Sequence, residues 1–158
     1  MHRPSSAAVA LLLSMALSAA ACSGGSGDDE PEGLSTEPFS LDVDVGTCFD
    51  RPASPDVTDV PPTDCDRPHD FEAYAVVELD GEDFPGTEEV YGQGLTGCNE
   101  VFADYVGVAP GQSGLVVVPV TPSAPLWDDG ERTVTCTVTL RGPDRLERSV
   151  EGSEQPQG

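Results

Sequence analysis

His69 stands in the string Cys65-Asp66-Arg67-Pro68-His69-Asp70, with Glu72 just beyond. An imidazole flanked by carboxylates can serve as a general base. A carboxylate orients the ring, and the ring takes a proton from a nucleophile or a water within hydrogen-bond reach. Asp70 and Glu72 are the residues that could orient it. A nucleophile is harder to find, since no Gly-x-Ser-x-Gly occurs and the cysteines have another use, given below. The reading favoured by these residues is therefore structural: the imidazole hydrogen-bonds backbone beside a disulfide and fixes a Pro-rich loop. His69, Asp70, Glu72 and Trp127 are kept as candidate binding residues, none is assigned a catalytic role, and the expectation is that the protein is not an enzyme.

Other carboxylates cluster at Asp64, Asp66, Asp70 and Glu72, at Asp80, Glu82 and Asp83, and at Asp128, Asp129 and Glu131. Glycoside hydrolysis needs two carboxylates across a cleft with aromatic platforms, and this chain has one Trp and three Tyr. No cluster follows the alternating Asp-x-Asp-x-Asp-Gly order of a calcium loop. Solvated turns account for these groups. Trp127, ahead of Asp128-Asp129-Gly130, reads as a core or rim residue of a β-turn, with ligand contact as its alternative.

Cys48, Cys65, Cys98 and Cys136 form an even set in a small domain. With neither a C-x-x-C nor an H-x-x-x-H pair, a zinc site is disfavoured and two disulfides are expected. No metal or other cofactor is implied. Three pairings are possible. Cys48–Cys65 and Cys98–Cys136 are favoured because each ties together neighbouring elements of the layout below.

The fifth cysteine, Cys22, has a different setting. Ala7 to Ala21 is apolar except for Ser14 and Ser18, is preceded by Arg3, and is followed after Cys22 by Ser23-Gly24-Gly25-Ser26-Gly27. A positive start, a short apolar run and small residues before the cut describe a secretory signal. The run is too short for the ~20 residues of a membrane span. A Cys at the first mature position points to a bacterial lipoprotein, lipidated at Cys22 and held on the extracytoplasmic face of the cell membrane. Ala19-Ala20-Ala21 also satisfies an ordinary signal peptidase, so secretion is one alternative and an uncleaved anchor another.

The layout is then residues 1–21 as signal peptide, 22–38 as an acidic Gly/Ser tether, 39–151 as one domain and 152–158 as a frayed tail. As a flexible coil, residues 23–38 reach about 20–24 Å, enough to hold the domain clear of lipid head groups. The formal charge is −22, with seven Arg, no Lys and 29 acidic residues. Nucleic acid needs basic patches that displace counterions, so it is excluded as a partner.

Within the domain, Phe39 to Val45 alternates apolar and polar residues and predicts a half-buried strand. Four prolines between 50 and 64 predict a rigid loop, with at best an edge strand at Val57–Val60. A strand over Phe71 to Leu79 places Phe71, Ala73, Ala75, Val77 and Leu79 on one face. A helix starts at Thr87-Glu88-Glu89, its first half weakened by Gly92, Gly94 and Gly97, with its well-formed part at 95–105. Leu115–Val118 reads as a buried strand. In a strand from Arg132 to Leu140, Val134, Cys136, Val138 and Leu140 face inward, and the intervening threonines face outward. Gly142-Pro143-Asp144 is a turn, with a last short strand at Leu146–Val150. The sum is an α+β fold: a small, mostly antiparallel sheet with one main helix on it, braced by two disulfides.

Taken in order, these landmarks resemble the septum-formation domain family of actinobacterial secreted and membrane-anchored proteins. The matching residues are Val45-Gly46-Thr47-Cys48-Phe49, then Cys65-Asp66-Arg67-Pro68-His69-Asp70 with Glu72, then Cys98 with Phe102-Ala103-Asp104-Tyr105-Val106-Gly107, and Pro122, Trp127, Gly130, Arg132 and Cys136. They span about residues 41–150. Thr47 stands where the family usually carries Asp. The resemblance implies a part in septation during cell division and supplies no reaction or catalytic residue. The expected function is a lipid-anchored binding or accessory module of the cell envelope, with an envelope protein or cell-wall component as partner. The alternatives are an envelope enzyme acting on cell-wall material and a lipoprotein that captures a ligand or cation.

Overall fold

The computed structural model describes residues 41–53 and 60–154. Five strands form one antiparallel sheet: β1 (Cys48–Phe49), β2 (Pro62–Thr63), β3 (Phe71–Glu78), β4 (Val116–Val120) and β5 (Thr133–Thr139), in the order β2-β1-β3-β5-β4. Helix α1 (Thr87–Val106) covers one face, and two short helices, α2 (Pro110–Ser113) and α3 (Ala124–Asp128), flank β4 in sequence. The expected α+β architecture holds, and so does the disulfide pairing. Cys48–Cys65 joins β1 to the loop after β2, and Cys98–Cys136 joins α1 to β5.

The helix is continuous, not broken in its first half as the glycines had predicted. Its buried residues are Val90, Gly94, Cys98, Phe102 and Val106, one every fourth position, so a single stripe lies on the sheet. A Cβ on Gly94 would come within 3.2 Å of Thr121 and Val134, and one on Gly97 within 3.3 Å of Val77. These two glycines give up helix propensity for close approach to the strands. Gly92 faces open space and has no such role. Glu88 and Glu89 lie in the first turn as expected, and Gly107 ends the helix in the left-handed conformation, its N–H donating to Ala103 O.

Strand β3 departs from the expected single face. Ala73 pairs with Thr137 and Ala75 with Cys136, so Tyr74 is an extra residue, a β-bulge. A one-residue shift exchanges the faces of everything beyond it. Phe71 and Ala73 therefore pack on the far side of the sheet, whereas Tyr74, Ala75, Val77 and Leu79 pack under the helix. The bulge also leaves Glu72 opposite Val138, on the helix side.

The far side is covered as well. Leu41, Phe49, Val60, Phe71 and Ala73 form a second apolar cluster, with Val118 and Val120 against it. Thr135 and Thr137 face this cluster and not solvent, which corrects the outward reading for these two, whereas Thr133 is exposed as expected. The hydroxyls of Thr135 and Thr137 donate to Leu41 O and Val118 O, so their burial leaves no lone donor.

Among the described residues the alternation over 41–45 does not make a strand, and Phe39 and Ser40 lie outside them. Residues 41–44 carry no ladder, and the chain turns at Val45–Gly46, where Gly46 holds φ +88° and donates to Ala73 O. Pairing begins only at Cys48, while Leu41 lies across the far face. At the other expected edge strand, Val60 is buried outside any strand, Val57–Asp59 lie outside the described residues, and the edge strand is Pro62–Thr63. Leu115–Val118 corresponds to β4, which is an edge strand and only half-buried, consistent with Pro119 within it.

Leu146–Val150 is not a strand. Leu146 makes an isolated bridge with His69, and both Leu146 and Val150 are fully buried. Gly152–Glu154, expected to belong to the tail, dock on the helix end: Gly152 N–H donates to Tyr105 O and Glu154 N–H to Val106 O. These are carbonyls that a helix C-terminus leaves without an intrahelical partner.

The two helix glycines separate by substitution. Gly92→Ala should raise stability by about 0.5–1 kcal/mol through helix propensity alone. Gly94→Leu should lower it by about 1–3 kcal/mol, because the helix must lift from Thr121, Val134 and Pro119. Urea unfolding of the two variants against the parent checks both signs.

Candidate functional site

His69 and Glu72 are both wholly enclosed, at 0 % exposure. Glu72 is placed by β3, whose bulge turns it under the helix. Its Oε1 accepts from the Tyr105 hydroxyl at 2.8 Å and from the Ser149 hydroxyl at 2.7 Å. Its Oε2 accepts the Val150 N–H at 2.8 Å. The helix and the C-terminal segment thus meet on one carboxylate. A buried carboxylate is costly unless its oxygens are bonded, and here both are. The Tyr105 phenol is pushed above the ordinary tyrosine range, first by burial and then by its bond to Glu72 and by the charges of Glu72 and Glu151. It stays a donor at neutral pH.

His69 is fixed from two sides. Its backbone N–H and C=O bond Leu146 reciprocally at 2.9 Å, and its Nδ1 lies 2.7 Å from Arg67 O. A carbonyl can only accept, so Nδ1 carries a proton and donates. Nε2 has no hydrogen-bond partner among the described residues and sits 3.9 Å from Glu72 Oε2, beyond hydrogen-bond reach. In the neutral ring Nε2 presents a lone pair. Only an added proton on this pair would place a donor between the two residues.

Cys48 Sγ, His69 and Glu72 place potential metal-ligand atoms within 4.8 Å of one another. The Cys48 sulfur is bonded to Cys65 and offers no thiolate. The trio therefore does not fit a metal centre.

Asp70 points the other way, toward solvent. It accepts the Arg51 N–H at 2.8 Å and Arg145 Nε at 3.1 Å, and Arg145 Nη2 also bonds Asp50. Asp70 does not orient the His69 ring. Trp127 sits in α3, not in a β-turn, and is 1 % exposed. Its Nε1 donates to Glu82 O, Phe84 packs edge-on, and Arg132 lies 3.9 Å over the ring. Arg132 also donates to Gly81 O, Glu82 O and Trp127 O. Trp127 is thus the centre of a knot joining the turn after β3 to α3.

Of the four candidates, the structure unites His69 with Glu72, sends Asp70 to the surface beside them and places Trp127 in this separate cluster. Sequence reasoning missed Ser149, Arg145 and the part of Tyr105 that matters here, its hydroxyl. Tyr105 is half-buried beside the helix stripe and entered the sequence reading only as part of the family resemblance. Ser149 and Arg145 carried no signal, because their partners lie far away in the chain.

A family model described as Septum formation matches residues 34–136. No curated protein and no solved structure matches the chain.

Removing the acceptor should be far worse than removing one donor. Tyr105→Phe leaves Glu72 its bonds to Ser149 and Val150 and should cost about 1 kcal/mol. Glu72→Ala strands buried donors from the helix and the C-terminal segment together, and should cost ~3 kcal/mol or more. Chemical denaturation of the two variants gives the ranking.

Proposed function

Because the chain belongs to the septum-formation family, we propose that it is a lipid-anchored module on the outer face of the cell membrane that binds an envelope component during septation. The observation that carries the binding reading is the enclosure of His69 and Glu72. A general base must reach its proton donor directly or through one water. Here the ring is walled in, one nitrogen is committed to a carbonyl, and the nearest carboxylate holds the C-terminal segment in place. This chemistry braces a fold. Residues that meet a partner then lie on the surface, and the module works by contact, with an envelope protein or cell-wall component as partner.

The anchor reading rests on Arg3, the apolar run to Ala21, Cys22 and the Gly/Ser tether, all of which lie outside the described residues. Among the described residues no helix is long and apolar enough to cross a membrane. Two disulfides suit an oxidising compartment. The acidic surface keeps the module from lying flat on anionic lipid, so a lipid at Cys22 and a tether suit it better than adsorption.

A tagged chain expressed in its native host should fractionate with membranes and concentrate at division septa. Cys22→Ser should move it to the medium or leave it unprocessed. A Cys22→Ser protein that remains membrane-bound at its mature size contradicts the anchor. Even peripheral distribution of the parent in dividing cells contradicts the septal role.

A further inference from the structure

Positive charge is scarce in this chain and unevenly placed. Among seven arginines facing 29 acidic residues, Arg141, Arg145 and Arg148 line one cavity of about 560 Å³. Its volume lies within the range of small-molecule sites. Arg132 is committed to backbone carbonyls and Trp127, so it is not free for another partner. The cavity arginines differ. Asp50 and Asp70 hold Arg145 through Nη2 and Nε, which fixes the guanidinium and leaves its Nη1 without a hydrogen bond among the described residues. Arg141 and Arg148 are exposed and make no ion pair or hydrogen bond among the described residues. They stand unpaired although Asp144 and Glu147 line the same wall.

The mixed lining narrows the ligand. Guanidinium forks match phosphate and carboxylate oxygens, and three around one space suit a group with several acceptor oxygens better than a lone carboxylate. Asp144 and Glu147 work against a bare anion, yet as carboxylates they accept hydrogen bonds from hydroxyls. A ligand that carries a phosphate next to hydroxyl groups satisfies both sets.

We propose that the cavity lined by Arg141, Arg145 and Arg148 binds a phosphorylated polyol or sugar. Lipid head groups and phosphodiester wall polymers both present this chemistry. The site is distinct from the His69–Glu72 cluster and does not depend on the anchor at Cys22.

The test titrates the isotopically labelled full chain with glycerol 3-phosphate, with inorganic phosphate and glycerol as references, followed by amide NMR. Saturable shifts at Gly114 and from Leu140 to Arg148 are expected, with glycerol 3-phosphate binding more tightly than either reference. Arg141→Gln and Arg148→Gln should each weaken binding about tenfold, with unchanged melting because both side chains are exposed. Added salt should weaken binding in the same direction. Co-sedimentation with phosphatidylglycerol but not phosphatidylcholine vesicles supports a lipid source, and retention on soluble poly(glycerol phosphate) supports a wall polymer. Absence of saturable shifts overturns the proposal. So does inorganic phosphate binding as tightly as glycerol 3-phosphate, or an Arg141→Gln/Arg148→Gln double variant that binds like the parent.

Discussion

A single carboxylate, withdrawn wholly from water, sets much of the arrangement of this domain. The buried Glu72 oxygens need donors beneath α1, and the donors come from elements that share no local sequence with it: Tyr105 from the helix, and Ser149 and Val150 from the C-terminal segment. The cost of desolvation is offset only when they arrive together. The same segment then continues to the helix end and caps the Tyr105 and Val106 carbonyls. The helix, the central strand and the last residues described are thereby fastened at one point. Upstream of that point, His69 bonds Leu146 through its backbone.

The sheet is covered on both faces by its own chain. The helix buries one side, and the irregular N-terminal segment with the Pro-rich loop buries the other. Residues 41–44 carry no ladder and β2 is only two residues long, so the Cys48–Cys65 disulfide adds a covalent tie on this side. Closing loops with sequence separations of 17 and 38 removes unfolded-state entropy worth about 3 and about 4 kcal/mol on the chain-entropy model. Cys48–Cys65 pins the loop beside β1, and Cys98–Cys136 pins the helix to the strand that it crosses.

What could be read from the sequence was whatever is periodic. Strands β3 and β5 and the helix start at Thr87 follow from spacing, and the disulfide pairing from the layout that those elements make. The failures share one cause, which is that tertiary partners outweigh local pattern. Tyr74 bulges because its hydroxyl reaches Cys98 O and its ring packs on Phe102, and no local signal marks that. The helix glycines looked like weaknesses, but two of them are contact points. Thr135 and Thr137 looked solvent-facing because their alternation is that of a one-sided sheet, and nothing local announces a second cover. The alternation over 41–45 was genuine, yet Gly46 turns the chain before a ladder can form. Of the candidate site, the neighbourhood of His69 and Glu72 was legible from their spacing. The direction in which each side chain points was not, because the bulge decides it.

The picture that results is of His69, Glu72 and Trp127 turned inward to hold a small domain together. Its central claim is that the Glu72 carboxylate fastens the C-terminal segment as part of the core. Native-state hydrogen exchange at the Val150 amide measures this directly, since that N–H donates to Glu72 Oε2. The account requires Val150 to exchange only through global unfolding, as slowly as the β5 amides. A Val150 amide that exchanges as fast as those of the exposed turn around Asp144 would contradict it.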